Sequence, residues 1–130
     1  MANTIRTIPI KTHPDYTVSI GPGLLGRCGE LIASALPPCR VAVVTDCNVA
    51  KLYLPQVTQS LQATGFSVCT HVFSAGEAHK NLSTLSEVLE FLAEEQLTRS
   101  DCVAALGGGV CGDMAGFAAG CYLRGGNHVQ

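Results

Sequence analysis

Cys102-Val103-Ala104-Ala105-Leu106-Gly107-Gly108-Gly109-Val110-Cys111-Gly112-Asp113-Met114-Ala115-Gly116-Phe117-Ala118-Ala119 changes character twice within one short run. Residues 102–106 are continuously apolar, as in a strand covered on both faces. The glycine triplet breaks that pattern, and the small residues after it suit a helix. The whole reads as strand, glycine loop and helix N-terminus. Residues without side chains let a backbone approach a ligand closely, and the free N–H groups of a helix start, with the positive end of its dipole, favour an anion there. A diphosphate fits that description.

Glycine spacing alone has a plainer explanation, because a tight strand-to-helix turn uses glycine for its backbone angles. The triplet also departs from the dinucleotide pattern G-x-G-x-x-G, being contiguous. Gly112 and Gly116 lie four apart, on one helix face, where they suit close helix packing. Asp113 near the helix start adds a polar group where the ligand would sit, and Arg124 follows about three turns further on.

Working outward, the rest of the chain repeats strand and helix. Ile8 and Ile10, then Tyr16, Val18 and Ile20, alternate with polar residues as half-buried strands do, with His13-Pro14-Asp15 as the turn. Apolar residues at 24, 25, 28, 31, 32 and 35 follow a helical period that Pro37-Pro38 ends. Residues 41–44 form a second buried-strand run. A helix broken around Pro55, a strand at 66–73 and an amphipathic helix at 81–96 follow. The expected fold is α/β, a Rossmann-like doubly wound and mostly parallel sheet preceded by a β-hairpin. One domain spanning residues 1–130 is expected. His128-Val129-Gln130 reads as the start of a further strand with no turn or cap after it, as though the chain were cut there.

The formal charge is −2, from eight Lys and Arg against ten Asp and Glu, so no basic field recruits nucleic acid or anionic lipid. No apolar run approaches the roughly 18 residues that span a bilayer, and residues 1–10 hold Arg6 and Pro9 without the apolar core of a signal peptide. A cytoplasmic protein with neither nucleic-acid nor membrane partners is expected. The seven cysteines show no C-x-x-C pair, which fits reduced thiols acting as small apolar residues. Cys111 stands apart, because a thiol in a first helical turn can have its pKa lowered and become reactive. His13, His71, His79 and His128 have no metal-binding spacing and fall in different elements, as turn, strand-surface, loop and strand residues.

Several side chains read two ways. Asp46 lies at the C-terminal end of the 41–45 strand, where open α/β sheets bind ligands and an acid can accept hydrogen bonds from a ribose; it also suits a helix N-cap. Glu77 and Lys80 fall in a strand-to-helix loop and by chemistry alone are a solvated pair. Asp113 suits a first-turn acid that stabilises a helix dipole. Arg124 is a planar fork suited to phosphate, or a surface cation.

The pattern G-G-G-V-x-G-D-x-A-G-F-A-A-x-x-Y-x-R-G over 107–125 resembles the cofactor loop of the 3-dehydroquinate synthase family. Two more stretches match it in order: Val43-Val44-Thr45-Asp46-Cys47-Asn48-Val49 with Leu52-Tyr53, and Gly76-Glu77-Ala78-His79-Lys80-Asn81. The resemblance implies NAD as cofactor, with Asp46 and Asn48 on its adenosine part and Glu77 and Lys80 on the adenine-ribose side. Gly108, Gly109 and Val110 would face the diphosphate, and Asp113 would sit near the nicotinamide end. Arg124 would reach across a homodimer interface to the phosphate of a sugar-phosphate substrate. It further implies zinc or another divalent metal, held in an all-helical second domain that is absent from this chain, so that no catalytic or metal residue is expected here. Ala75 stands where one family form has Asp, and Gly126 where a β-branched residue is usual. Another sugar-phosphate cyclase, of 2-deoxy-scyllo-inosose or valiolone synthase type, shares the glycine loop. A polyol or iron-dependent alcohol dehydrogenase and a non-catalytic NAD-binding fragment remain further alternatives.

Overall fold

The computed structural model describes residues 4–12 and 15–130, with the side chain of Arg124 outside that set. Its centre is β3, Arg40–Asp46, in which Val41 through Thr45 are all fully buried. Alternate residues of a strand point to opposite faces, so this strand feeds two apolar layers. Val41 and Val43 pack with Ile32, Val57, Leu61 and Phe66, whereas Ala42 and Val44 pack with Val88, Leu92, Ala115 and Ala118.

Four parallel strands line up in the order β4-β3-β5-β6, with β4 Ser67–Phe73, β5 Cys102–Leu106 and β6 Asn127–Val129. Val41 of β3 lies opposite Val68 on one side and Cys102 on the other. Short α1 (Cys28–Ala33) and long α2 (Cys47–Ala63) cover one face; α3 (Leu82–Glu94) and α4 (Gly109–Cys121) cover the other. The chain leaves β3 for β4 on one side and returns to β5 on the other. That reversal creates a crevice above the C-terminal ends of β3 and β5, where open α/β sheets bind ligands. The doubly wound sheet is as the sequence predicts, and the strand expected to begin at His128 forms as β6, beside β5.

Local chemistry explains the departures. The predicted 24–36 helix is a 3-10 turn, Leu25–Arg27, and then α1, because Arg27 leaves helical geometry at φ −116° and ψ 11°. α2 continues through Pro55 where a break is expected. An interior proline costs about 3 kcal/mol; burying Val57 and Leu61 on the following turns offsets it at about 1.5–3 kcal/mol each. α3 starts one residue late, with Asn81 as its cap, and ends before Gln96, whose φ of +56° is a left-handed stop.

The hairpin forms from β1 (Arg6–Ile10) and β2 (Tyr16–Ile20), pairing Ile8 with Val18 and Ile10 with Tyr16. Its expected half-burial is not met, since Ile8, Tyr16, Val18 and Ile20 are exposed. The His13-Pro14 part of its turn lies outside the described residues.

Candidate functional site

Asp46 ends β3 and caps α2. Its Oδ1 accepts the N–H groups of Asn48 and Val49, each at 2.9 Å. That leaves Oδ2, which faces the glycine loop closely enough that a methyl group on Gly107 would come within 3.7 Å of it. The capping role therefore leaves one oxygen of this carboxylate toward the glycine loop. Asn48 is exposed on the first turn of α2. Thr45, which sequence reasoning missed, donates its hydroxyl to the Leu106 carbonyl at 2.7 Å and ties the ends of β3 and β5 together under the crevice. A lone hydroxyl closing an apolar strand run was the available signal.

The three glycines are not equivalent. Gly107 has φ +150°, and a Cβ there would approach that of Cys111 to 3.0 Å, so its glycine is a requirement of the turn. Gly108 and Gly109 carry no such constraint, and a Cβ at either would meet nothing within 4 Å. Fold and backbone tolerate side chains at both positions, and both open onto empty space. Asp46 and Asn81 cap α2 and α3, but no side chain caps α4. Its first N–H groups are thus left to solvent or a ligand. The side chain of Val110 packs against the core, so only its backbone can face that space.

The Cys111 expectation is corrected. The thiol is 1% exposed beneath the loop, with Sγ 3.0 Å from the Val44 carbonyl oxygen and 3.4 Å from that of Leu106. Burial pushes it up to about 11, and the nearby Asp46 charge adds to the rise. Gly112 and Gly116 do serve close packing of their helix, with a strand as the neighbour. A Cβ on either would lie 3.3 Å from a side chain of the β6 end, Gln130 for Gly112 and His128 for Gly116, so they seat β6 and its flank on α4.

Asp113 is the fifth residue of α4, past its first turn, so the first-turn reading does not hold. Its Oδ2 accepts a bond from Lys80 Nζ at 2.7 Å. That hydrogen bond and the Asp113 charge raise the Lys80 pKa, with a smaller push from Glu77. Lys80 thus bonds to Asp113, while Glu77 sits exposed in the 3-10 turn Glu77–His79. Cys47 holds the base of that loop, its Sγ accepting the Ala75 N–H at 3.4 Å. His71 is half-buried rather than fully on the strand surface. It points from β4 toward α3, its ring 5.2 Å from that of Phe91, and its Nε2 is buried without a partner among the described residues. The backbone of Arg124 lies in the 3-10 turn Tyr122–Arg124, and its predicted phosphate contact falls outside the described residues.

A groove of about 490 Å³ beside α2 and β4, lined by Leu54, Pro55, Thr58 and Val68 among others, carries no charged side chain and lies away from the glycine loop. Among the described residues no group of three or more His, Cys, Asp or Glu side chains is placed to hold a metal ion, so the divalent metal that the resemblance implies finds no donor set there.

A family model described as the N-terminal region of 3-dehydroquinate synthase matches residues 70–130. The 3-dehydroquinate synthase of Streptococcus sanguinis is 48% identical over 118 residues, which is 91% of this chain and 33% of the relative. The chain is thus similar to the N-terminal part of the 3-dehydroquinate synthases. It spans about a third of the length of the curated relatives it matches. Among solved structures, a 2-deoxy-scyllo-inosose synthase complexed with carbaglucose-6-phosphate, NAD+ and Co2+ shares its fold, with a TM-score of 0.77 at 24% identity over 96% of this chain and 34% of that one. The 2-epi-5-epi-valiolone synthase ValA of Streptomyces hygroscopicus subsp. jinggangensis, with NAD+ and Zn2+ bound, gives a TM-score of 0.69 at 32% identity, covering 82% of this chain and 29% of that one.

Proposed function

We propose that this chain is the NAD-binding part of a 3-dehydroquinate synthase, an enzyme that converts 3-deoxy-D-arabino-heptulosonate 7-phosphate to 3-dehydroquinate and phosphate in the shikimate pathway. The observation that carries the reading is the empty space over Gly108 and Gly109 at the uncapped start of α4, glycines that neither backbone nor packing requires. A diphosphate there accepts hydrogen bonds from the first N–H groups of α4 and meets the positive end of its dipole. Asp46 Oδ2 and Asn48 then lie on the β3 side to take the adenosine hydroxyls, with Glu77 and Lys80 on the loop after β4 and Asp113 toward the nicotinamide. NAD supplies a reversible hydride acceptor, and this chain's residues orient it and shield it from water.

In the full-length enzyme we place the divalent metal on donors beyond the described residues, and Arg124 at the substrate phosphate across a homodimer in the cytoplasm. The identity to named 3-dehydroquinate synthases and the unbroken G-D-x-A-G-F-A-A run favour this product over the sister cyclases. Product analysis of a full-length protein separates them, and net NADH formation would point to a dehydrogenase instead.

Calorimetric titration with NAD+ tests the site. Gly109→Val is expected to melt like the parent, because its side chain enters open space, and to weaken NAD+ binding at least tenfold. Equal affinity in parent and variant, or no binding by the folded parent, refutes the assignment. The 130-residue chain alone is expected to bind cofactor without turnover.

A further inference from the structure

We propose that the Lys80–Asp113 ion pair is a latch that pins the turn between β4 and α3 against α4 in the ligand-free protein, and that the diphosphate of a dinucleotide opens it by replacing Asp113 as the partner of Lys80. The inference rests on reading the glycine loop as a dinucleotide site. It goes beyond that reading because it assigns Lys80 two alternative partners.

The turn is built as a strap. Its hinge is Gly76, at φ +114° with open space around it. Within the strap His79 N–H bonds to the Gly76 carbonyl and Lys80 N–H to that of Glu77, both at 3.0 Å, so it moves as a unit. One end is held by the Ala75–Cys47 contact and the other by Asn81, whose side chain caps α3 and bonds back to the Ala78 carbonyl at 3.1 Å. Among the described residues, the bond that joins the strap to α4 is Lys80 Nζ to Asp113 Oδ2.

Both side chains are well exposed, at 41% and 62%, and exposed ion pairs are weak and exchangeable. Asp113 lies four residues beyond Gly109, about 6 Å along the helix axis. Lys80 Nζ therefore sits about one turn from the uncapped N–H groups where a diphosphate would rest. A dinucleotide there presents Lys80 with phosphate oxygens in place of one carboxylate, and a flexible ammonium follows the stronger charge. The freed Asp113 carboxylate then becomes an acceptor for a hydrogen-bond donor on the ligand.

Amide hydrogen exchange tests the latch, with NAD+ as the probe. In ligand-free Asp113→Asn, and equally in Lys80→Met, the amides of 76–80 are expected to exchange roughly two- to fivefold faster than in the parent. Unchanged amides in β3 and β5 show that the fold is intact. With NAD+ saturating each protein, as set by calorimetry, Asp113→Asn and the parent should exchange alike across 76–80, because Lys80 has changed partner. Unaltered exchange in both ligand-free variants overturns the pinning. A difference between Asp113→Asn and the parent that persists at saturation overturns the handover. Absence of any NAD+ binding to the parent removes the handover together with the cofactor reading, and the ligand-free comparison still decides the pinning by itself.

Discussion

Gly107 and Gly109 sit two residues apart and are not equivalent, since the turn demands φ +150° at Gly107 whereas a Cβ on Gly109 would meet nothing within 4 Å. Sequence alone could not separate them, since both appear as one letter in a triplet. Cys111 illustrates the same limit. Its place in the first turn of α4 is legible, but its depth is not, because depth depends on Val44 and Leu106 arriving from other strands. Burial pushes Cys111 up to about 11 and Cys102 up to about 12, from an ordinary value of 9.0. A thiol whose folded pKa is raised contributes stability that is fully present below its unfolded pKa and is lost as pH rises through the folded value. The melting temperature should therefore be flat with respect to these thiols up to about pH 9, then fall steadily toward pH 12, as each thiol withdraws about 1.4 kcal/mol of stability for every pH unit between its unfolded and folded values. Chemical denaturation across that range checks it. A Cys111 that alkylates at neutral pH as fast as exposed Cys121 would contradict the burial.

At the scale of elements, the β-α order, the buried β3 run and the capping residue Asp46 are legible because each depends on neighbours in sequence. The Lys80–Asp113 bond is not, since its partners lie 33 residues apart and meet only after β5 crosses back beside β3. The crossing of α1 over α2 is similarly hidden. Gly29 donates its N–H to Ser60 Oγ at 2.9 Å, and a Cβ on it would collide with the Ser60 backbone carbonyl. Backbone cannot move aside as the end of a side chain can. Gly29→Ala should accordingly cost roughly 1–3 kcal/mol by overpacking, despite the better helix propensity of alanine. Urea denaturation with an unchanged m-value would register that loss, and a more stable variant would show that the helices part freely.

For the whole molecule, the apolar surface is unevenly finished. The sheet is covered on both faces, yet the hairpin keeps Ile8, Val18 and Ile20 exposed on one side, with Tyr16 at 57%. Leu82 and Phe117 stand out at 81% and 61% beside the Lys80–Asp113 pair. An isolated two-stranded hairpin is at best marginally stable in water, and contiguous exposed apolar surface favours association. The 130-residue chain on its own should therefore associate as its concentration rises, and sedimentation velocity over a hundredfold range would register the growth in mass. Val18→Lys should suppress the association while leaving the melting of the α/β body unchanged, because that side chain lies on the hairpin's open face and outside both apolar layers. If Val18→Lys instead lowered the melting temperature of the monomer, the hairpin would be packed on the body after all. A chain that stayed monomeric at every concentration would mean that this open face has no affinity for its own kind.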